Sequence, residues 1–565
     1  MNNTQKGRND LIHWKRELRK NIYQVNPDFQ HSIQYYYTKR ADSLSKQLYD
    51  FGGNVARKLE PLVNENDYRL NLPRLEKYSG IGEFTDEIIH HPNYLEAGKI
   101  IYGSGMMKLA NKPGNLLESL CYFFLSSHAG EAGHNCPIAC TAGILRVFRN
   151  SPDFPQKKNY WKKLTDPNFE TNYTGAQFVT EVQGGSDVGK NATKATKAPN
   201  SEWEIYGEKW FCSNADADLI LITARYDEVI SGTKGLGLFL VPAILENGER
   251  NKYSIRRLKE KIGTRTMASG EIDFEGAWAI PMGPVEEGFK SLMSNVLHLS
   301  RLYNSFATLG ISYRAYQIAH SYSRFRHAFG NPIIHYPLVM ENLAKIKAEN
   351  TAMLAAIMHT TSLQDKYDSS KNSSSKDALL LRLLANLNKY ITAFWMVEHV
   401  HHAIDVLAGN GAIESFSPLP RLLRDSIVLE NWEGTHNTLR MQILRDMEKF
   451  QIHTTFLEHL KKELVGIQDQ PEITQLLKKK LNELKKEIID LLESEINLKQ
   501  LNIRYVVHQM ILLFSAIQLL KEGLHQIKHN CSDSKLNCLT FFINLHIKKN
   551  KINLSYYKSI SKIIY

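Results

Sequence analysis

The chain has 565 residues, 43% of them hydrophobic and 23% charged, and a formal net charge of +11. These values are typical of a soluble globular protein, and the length predicts several domains rather than one core. Apolar runs such as residues 217–224 are too short to cross a bilayer, so we expect no transmembrane segment. The basic, polar residues 1–21 lack the apolar core of a secretory signal. Six cysteines give no disulfide framework, which predicts a reducing compartment, the cytoplasm.

The first part of the chain has the period of α-helices, and the second part has that of strands. Apolar residues between positions 35 and 164 recur three and four apart, which predicts a helical domain over residues 1–173. Short apolar runs separated by Gly, Asn and Asp follow, which predicts a β domain over residues 174–283. The predicted strands include Trp203/Ile205, residues 219–222, residues 236–240 and Ile272/Phe274.

Two glycine-rich pieces of the β domain, residues 184–189 and 235–237, raise the question of a nucleotide-binding loop. Neither opens a helix of a βαβ unit and neither ends in Gly-Lys-Ser/Thr, which argues against a Rossmann fingerprint or a P-loop. Gly184, Gly185 and Ser186 instead offer backbone N–H groups and a hydroxyl to an anionic or heteroaromatic ligand.

The helical period returns at residue 284 and predicts a helical bundle over residues 284–450. Three long helices are expected, at residues 300–325, 338–364 and 377–407. A polar linker, residues 365–376, joins the second to the third. Asp377 and Gly409 stand where a start and a stop of the third helix are expected.

Two segments bring together residue types that bind metals: His134, Cys136 and Cys140, and Glu398, His399, His401 and His402. The first lacks the second ligand pair of a zinc pattern. The second lacks the HExxH spacing, and histidines near the C-terminal end of a helix suit its dipole. We expect structural roles for both segments and no metal.

Residues Asn431 to Asn437 read Asn-Trp-Glu-Gly-Thr-His-Asn and precede a helix with one apolar face. That face consists of Leu439, Ile443, Leu444, Met447 and Phe450. Thr435 or Asn437 can cap this helix, which leaves Glu433 on a short turn beside Gly434. A carboxylate beside an indole is a candidate general base, because an apolar neighbour raises its pKa. The alternative is an ordinary acidic residue near the first turn, favoured by the helix dipole.

Residues 451–565 form a basic C-terminal domain, with 17 lysines and arginines against 11 acidic residues. One of its helices has an apolar seam with steps of four and three, made of Leu477, Leu481, Leu484, Ile488 and Leu491. Lysines lie beside this seam at Lys478, Lys479, Lys480, Lys485 and Lys486. They form either a solvated helix face or a patch that binds a polyanion such as DNA.

Five motifs follow one another along the chain: residues 178–188, 207–214, 326–330, 407–411 and 431–437. Together they resemble the acyl-CoA dehydrogenase family over roughly residues 80–450. The Gln-Gly-Gly-Ser-Asp sequence, the Cys-Pro-Ile segment at Cys136 and the Trp-Glu-Gly triplet resemble its AidB-like branch. The resemblance implies a mainly α fold with a middle β-barrel-like domain, in the order α domain, β domain and α bundle, here with a C-terminal helical extension.

The resemblance implies FAD bound between the β domain and the bundle, usually across a dimer within a homotetramer, a dimer of dimers. The positions that match cofactor-binding residues are Phe178, Thr180, Gly185, Ser186, Phe211, Ser213, Arg326, Phe329, Gly409, Thr435 and Asn437. Phe211 and Ser213 match residues beside the flavin ring. Arg326 and Phe329 match a pair that reaches FAD from the neighbouring subunit.

The resemblance also implies the chemistry. Glu433 matches the base that removes the α-proton of an acyl-CoA thioester as the β-hydride passes to flavin N5. Arg301 matches an arginine that holds the substrate or tunes this base, and an electron-transfer flavoprotein is the implied electron partner. Three departures affect single FAD contacts: Asn437 replaces the more frequent Gln, Tyr336-Pro337 replaces His-Gln, and Ala408 replaces the first of two glycines.

Three functions remain open at this point. The first is an acyl-CoA dehydrogenase of fatty acid metabolism that acts on a long or unusual acyl thioester. The second is an AidB-like flavin-containing stress protein with little dehydrogenase activity that binds DNA through its basic C-terminal domain. The third is an acyl-CoA oxidase, whose relatives also carry extra C-terminal helices.

Overall fold

The computed structural model describes residues 3–199, 201–529, 531–548 and 552–564. Contacts divide the chain into two units. The bundle unit comprises Met1–Lys58, Phe124–Gly130 and Asn304–Tyr565, and the sheet unit comprises Leu59–Phe123 and Glu131–Tyr303. Each unit is therefore assembled from stretches that are distant in sequence.

Helices make up most of the described chain. In chain order they are α1 (Asn3–Glu17), α2 (Pro27–Tyr37), α3 (Ala41–Asn54), α4 (Glu60–Asn66), α5 (Pro92–Tyr102), α6 (Met106–Ala110), α7 (Leu116–Ser126), α8 (Asn135–Asn150), α9 (Lys157–Leu164), α10 (Gly288–Ser291), α11 (His298–Phe325), α12 (Pro337–Ser369), α13 (Ser375–Leu407), α14 (Leu419–Leu429), α15 (His436–Phe450), α16 (Ile452–Glu463), α17 (Pro471–Glu493), α18 (Ile496–Lys528), α19 (Ser534–Phe542) and α20 (Leu554–Ile564). The π-helical segments are Val55–Leu59, Leu292–Leu297 and Ile543–Ile547.

The strands form two hairpins and one larger sheet. In chain order they are β1 (Arg74–Tyr78), β2 (Phe84–Ile89), β3 (Gly175–Phe178), β4 (Lys194–Lys197), β5 (Trp203–Ser213), β6 (Leu219–Arg225), β7 (Leu236–Pro242), β8 (Tyr253–Leu258), β9 (Ser269–Pro281), β10 (His327–Ala328) and β11 (Asn331–Pro332). The hairpin of β1 and β2 lies inside the region predicted to be helical, so that prediction was wrong there. The turn of this hairpin contains Gly82 at φ +82°, a backbone conformation that glycine adopts readily.

The sheet of the sheet unit closes on itself. Strands β6, β4, β5, β9 and β7 pair in that order, and β7 pairs again with β6. β3 joins β6 in parallel, and β8 joins β9. The predicted strands correspond to β5, β6, β7 and β9, which confirms them. Among those missed, β4 reads Lys-Ala-Thr-Lys and has no apolar run by which to detect it.

The bundle unit is built around α12 and α13, each of 33 residues. Their middle turns are buried almost all round, which explains why the apolar residues there do not keep to one face. Both helices were predicted, but α12 continues to Ser369, so the polar linker is shorter than expected. The start of α13 also differs: Ser374 is the N-cap, and Asp377 completes a capping box with it.

The C-terminal helices α16 to α20 belong to the bundle unit, where α18 and α19 pack on α12. The predicted seam of α17 is buried, which confirms it. Beside the seam, Lys479 and Lys480 pair with Glu483 on the same helix, as on a solvated helix face.

One helix of the described chain, α18, is long and apolar enough to cross a membrane by length and composition. The sequence analysis missed this run. However, 78% of its most apolar window is buried inside the protein, so its apolar surface is already covered by other parts of the chain. α18 therefore behaves as a core helix.

The structure confirms the predicted fold class: mainly helical, with a barrel-like sheet in the middle of the chain and helices after it. The division into domains at residues 173, 283 and 450 stays a prediction.

Ala408 ends α13 at φ +52° and ψ −139°, a conformation that favours glycine. We predict that Ala408→Gly raises the free energy of unfolding by about 1 kcal/mol, because relief of about 1–3 kcal/mol of strain exceeds the entropic cost of glycine, about 1 kcal/mol. The measurement is the shift of the urea midpoint. Ala412→Gly, in the same turn but without a positive φ, is the control and should destabilise the protein.

Candidate active site

Glu433 lies on the turn between α14 and α15. Thr435 is the N-cap of α15, which confirms one of the two predicted caps, since its side chain accepts a hydrogen bond from Thr438 N. Glu433 has φ +58° and Gly434 has φ +106°. A non-glycine residue in this region stores strain, which persists only where the surroundings impose it. The half-buried Glu433 is therefore held in a defined position rather than on an ordinary acidic first turn.

Helix α13 imposes that conformation. The buried Lys389 Nζ donates to Glu430 O at 2.8 Å and to Gly434 O at 2.6 Å, one carbonyl on each side of Glu433. Within the turn, His436 Nε2 and Glu430 Oε1 are 2.7 Å apart. The ring of His436 also packs edge-on against Tyr390 of α13. Together these contacts hold the turn in place on both sides of the carboxylate.

In the sheet unit, Glu181 fixes the loop that follows β3. Its carboxylate accepts from Lys209 Nζ at 2.7 Å and from the backbone N–H groups of Ala192 and Thr193. Burial raises the pKa of Glu181, but the Lys209 ammonium and these donors outweigh it, so the net shift is downward. Glu181 is therefore a structural brace of the glycine-rich loop.

The loop brings Gly185 against Thr180. A Cβ on Gly185 would lie 2.6 Å from Thr180 Oγ1, so a side chain here requires the threonine to move. Gly185 and Ser186 are both exposed. The absence of a side chain at Gly185 thus keeps the threonine hydroxyl and the exposed backbone of the loop close together.

Strand β5 carries two further predicted positions. The Phe211 side chain is 52% exposed, which leaves an apolar face for a planar ring. Lys259 Nζ lies 4.9 Å from the centre of this ring and 3.4 Å from that of Trp210. Ser213 Oγ lies 3.2 Å from Ser269 Oγ and is half-buried.

The predicted positions of the bundle unit differ in exposure. Phe329 is 97% exposed, at φ +50° on the tip of the β10–β11 hairpin, and Arg326 just before it is exposed as well. Gly409 is exposed in the turn after α13. Asn437 Oδ1 accepts from Arg440 Nη1 at 3.0 Å in the first turn of α15.

Two predicted residues are buried within the sheet unit. Phe178 is fully buried in the core of the sheet, so only its backbone can reach a ligand. Arg301, in the first turns of α11, is 5% exposed. A guanidinium buried this far needs polar partners, so Arg301 is a fixed charge rather than a mobile surface arginine.

Three family descriptions match consecutive parts of the chain. "Adaptive response protein AidB N-terminal domain" matches residues 16–171, "Acyl-CoA dehydrogenase, middle domain" residues 176–277 and "Acyl-CoA dehydrogenase, C-terminal domain" residues 286–448. The chain belongs to the acyl-CoA dehydrogenase family. The first of the three descriptions places it in the AidB-like branch, as the motifs predicted.

Curated relatives have the same family names. Acyl-CoA dehydrogenase family member 11 of Caenorhabditis elegans is 29% identical over 423 residues, which cover 72% of this chain and 67% of the relative. The putative acyl-CoA dehydrogenase AidB of Escherichia coli K12 is 28% identical over 392 residues, which cover 67% and 70%.

Solved structures share the fold. The structure of Caenorhabditis elegans ACDH-11 in complex with C11-CoA superposes with a TM-score of 0.86 at 24% identity and covers 95% of this chain and 92% of that one. An acyl-CoA dehydrogenase of Bacillus anthracis complexed with FAD gives a TM-score of 0.70 at 17% identity, with coverages of 94% and 87%.

Sequence analysis missed Lys389, Glu181 and Lys209 as parts of these sites. One signal for Lys389 was available: it is a lysine among apolar residues in the middle of a predicted helix. A lysine that is buried there requires hydrogen-bond acceptors. No local signal identified those acceptors, because they are backbone carbonyls about 40 residues away.

The two segments that resembled metal sites have structural contacts. His134 Nε2 bonds Tyr94 O at 2.9 Å, and its ring stacks on that of Tyr94. His399 lies between Ser312 Oγ and Glu349 Oε2, each at 2.6 Å. Both histidines are completely buried. Each histidine thus has structural contacts, and the absence of a metal from both segments stays a prediction.

We predict that Lys389→Met loosens the Glu433 turn, because two carbonyls lose their donor while the side-chain volume is kept. Hydrogen–deuterium exchange of the amides of residues 431–437 should rise about tenfold or more, as expected if at least about 1.4 kcal/mol of protection is lost. Lys345→Met on α12, whose lysine pairs with Glu398, is the matched control and should leave this exchange unchanged. Equal protection in both variants would show that Lys389 does not hold the turn.

We predict that His134 contributes to acid lability. Burial lowers the pKa of His134 to about 4 from 6.5. Between these values the unfolded chain binds a proton that the folded chain does not, so stability is lost as the pH falls from 6.5 towards 4. His134→Gln, which can still donate to Tyr94 O, should flatten the dependence of the urea midpoint on pH in this window. An unchanged slope would exclude His134 as a contributor.

Proposed function

We propose that this protein is an FAD-dependent acyl-CoA dehydrogenase that removes the α-proton of an acyl-CoA thioester with Glu433. The observation that carries the proposal is the strained turn that holds Glu433 and is anchored on both sides by Lys389. A carboxylate is fixed in this way where its position matters, and the family uses a carboxylate at this place as its base.

The residues of the sheet unit fit FAD. Phe211 offers an exposed flat ring, Ser213 a hydroxyl on the same strand, and the Gly185–Ser186 loop exposed backbone N–H groups for phosphates. The family membership and the FAD complex of the Bacillus anthracis relative support the same cofactor. When bound, FAD supplies the acceptor for the hydride that leaves the β-carbon.

The chain's own residues supply the proton transfer. Glu433 in its ionised form takes the α-proton, which is acidic only while hydrogen-bond donors stabilise the thioester oxygen. The C11-CoA complex of the Caenorhabditis elegans relative supports an acyl-CoA substrate. We assign Arg301 to substrate positioning or to tuning of the base, as the family resemblance implies, and its burial supports a fixed rather than a mobile charge.

The proposal also covers the assembly of the protein, its electron acceptor and its location in the cell. The exposed Phe329 and Arg326 on the β10–β11 hairpin support a contact to the FAD of a second subunit, and hence the homotetramer. An electron-transfer flavoprotein is the proposed acceptor of the electrons. All six cysteines are free thiols, which supports the cytoplasm.

The AidB-like alternative, a flavin-containing DNA-binding protein with little dehydrogenase activity, rests on the branch and on the lysines of α17. The pairing of Lys479 and Lys480 with Glu483 reduces the positive charge of that face, so no contact favours DNA over solvent. DNA binding therefore stays a prediction from composition.

The test is anaerobic mixing of the FAD-loaded protein with a panel of acyl-CoAs while flavin absorbance is followed. Glu433→Gln keeps the shape of the side chain and removes the base, so flavin reduction should slow by at least about 100-fold while FAD stays bound. Glu414→Gln, which removes a carboxylate that pairs with Arg424, is the control and should react as the natural protein does.

Two results would contradict the proposal. If Glu433→Gln reduces flavin as fast as the natural protein, Glu433 is not the base. If the natural protein is reduced by none of the acyl-CoAs, the dehydrogenase function is wrong and the AidB-like alternative gains support.

A further inference from the structure

Two helices of the bundle unit bring two histidines and a carboxylate together outside the Glu433 turn. His359 comes from α12, and His459 and Glu463 come from α16. Each residue offers one ligand atom, and these three atoms lie within 4.8 Å of one another. His459 and Glu463 are four residues apart, which places both side chains on the same face of α16.

One nitrogen of each imidazole has no hydrogen-bond partner among the described residues. The Nε2 atoms of His359 and His459 are both buried and make no hydrogen bond among the described residues. His359 is 8% exposed, and its Nε2 lies 3.8 Å from Glu463 Oε2, too far for a hydrogen bond. A buried polar nitrogen without a partner costs free energy, so two of them beside one carboxylate point to a missing ligand.

The charges of the cluster show what kind of ligand is missing. Glu463 pairs with the ammonium of Lys521 from α18, so the protein already places one cation on this carboxylate. Two imidazoles and one carboxylate are a donor set that binds zinc.

We propose that His359, His459 and Glu463 bind a divalent transition metal ion, Zn²⁺ by ligand type, with water as the fourth ligand. The Lys521 ammonium neutralises Glu463 when the ion is absent. Ligand atoms of a filled tetrahedral site lie about 3.4 Å apart, so the three side chains move towards one another by about an ångström when the ion binds. Because the ligands come from α12 and α16, the ion clamps the C-terminal helices to the central bundle.

The experiment is isothermal titration calorimetry of the full-length, FAD-loaded protein with Zn²⁺ alone, after removal of metals with a chelator. We expect one equivalent of Zn²⁺ per chain with a Kd below about 10 μM. His459→Gln should weaken this binding by about 100-fold or more, because a ligand is lost. Lys521→Met should tighten it by about tenfold, because a competing positive charge is removed.

His525 and His529 provide the matched control. They lie four residues apart on and just after α18, with ring centres 4.0 Å apart, so they are a histidine pair outside the proposed site at which an adventitious ion would bind. His529→Gln should therefore leave the site unaffected. The proposal is overturned if Zn²⁺ does not bind the natural chain. It is also overturned if His529→Gln removes the binding and His459→Gln does not.

A second readout does not depend on calorimetry. Saturating Zn²⁺ should raise the Tm of the natural protein and of His529→Gln but not that of His459→Gln, since a ligand that binds only the folded state stabilises it. An equal rise in the natural protein and in His459→Gln would contradict a site at His459.

Discussion

The position of Glu433 depends on one buried ammonium. Lys389 is buried in the middle of a 33-residue helix, next to the buried Asn388, and it donates hydrogen bonds to two carbonyls of the turn. These two bonds fix the carbonyls on either side of Glu433, so they fix the backbone that carries its carboxylate. The contact therefore gives the proposed base a defined position.

The sheet unit uses a buried charge in a related way. Lys209 and Glu181 are buried and pair at 2.7 Å, and the carboxylate also accepts from Gln183 Nε2 and from the backbone N–H groups of Ala192 and Thr193, on the two sides of the glycine-rich stretch. A buried ion pair contributes little net stability, but removing one partner is costly, so it specifies a single loop conformation. Each unit thus carries its proposed ligand-binding loop on a buried lysine.

The sequence predicted the long elements because their apolar residues determine them locally. α12 and α13 have long apolar sequences, and β6 and β7 are continuous apolar runs. The sequence did not predict β4 or the extent of α12, because polar residues form these. It did not predict the β1–β2 hairpin, because its strands are short and mix apolar with charged residues, so that packing decides their conformation. Family motifs identified the candidate site residues, but their supports, Lys389 above all, act through backbone atoms, which carry no side-chain signature.

Four of the ten non-glycine residues with positive φ lie within the five motifs. Asn214, Phe329, Ala408 and Glu433 have positive φ without being glycine, and each belongs to a different one of the five motifs. The fifth motif contains Gly184 at φ +133°. Each such non-glycine residue costs on the order of 1–3 kcal/mol, and a fold retains it only where the surroundings hold the backbone in place. In this chain the surroundings are identifiable at Glu433, where Lys389 bonds the carbonyls on either side. The motifs are therefore recognisable in the sequence because they encode unusual backbone geometry. The two units maintain this backbone geometry as well as the side chains of the motifs.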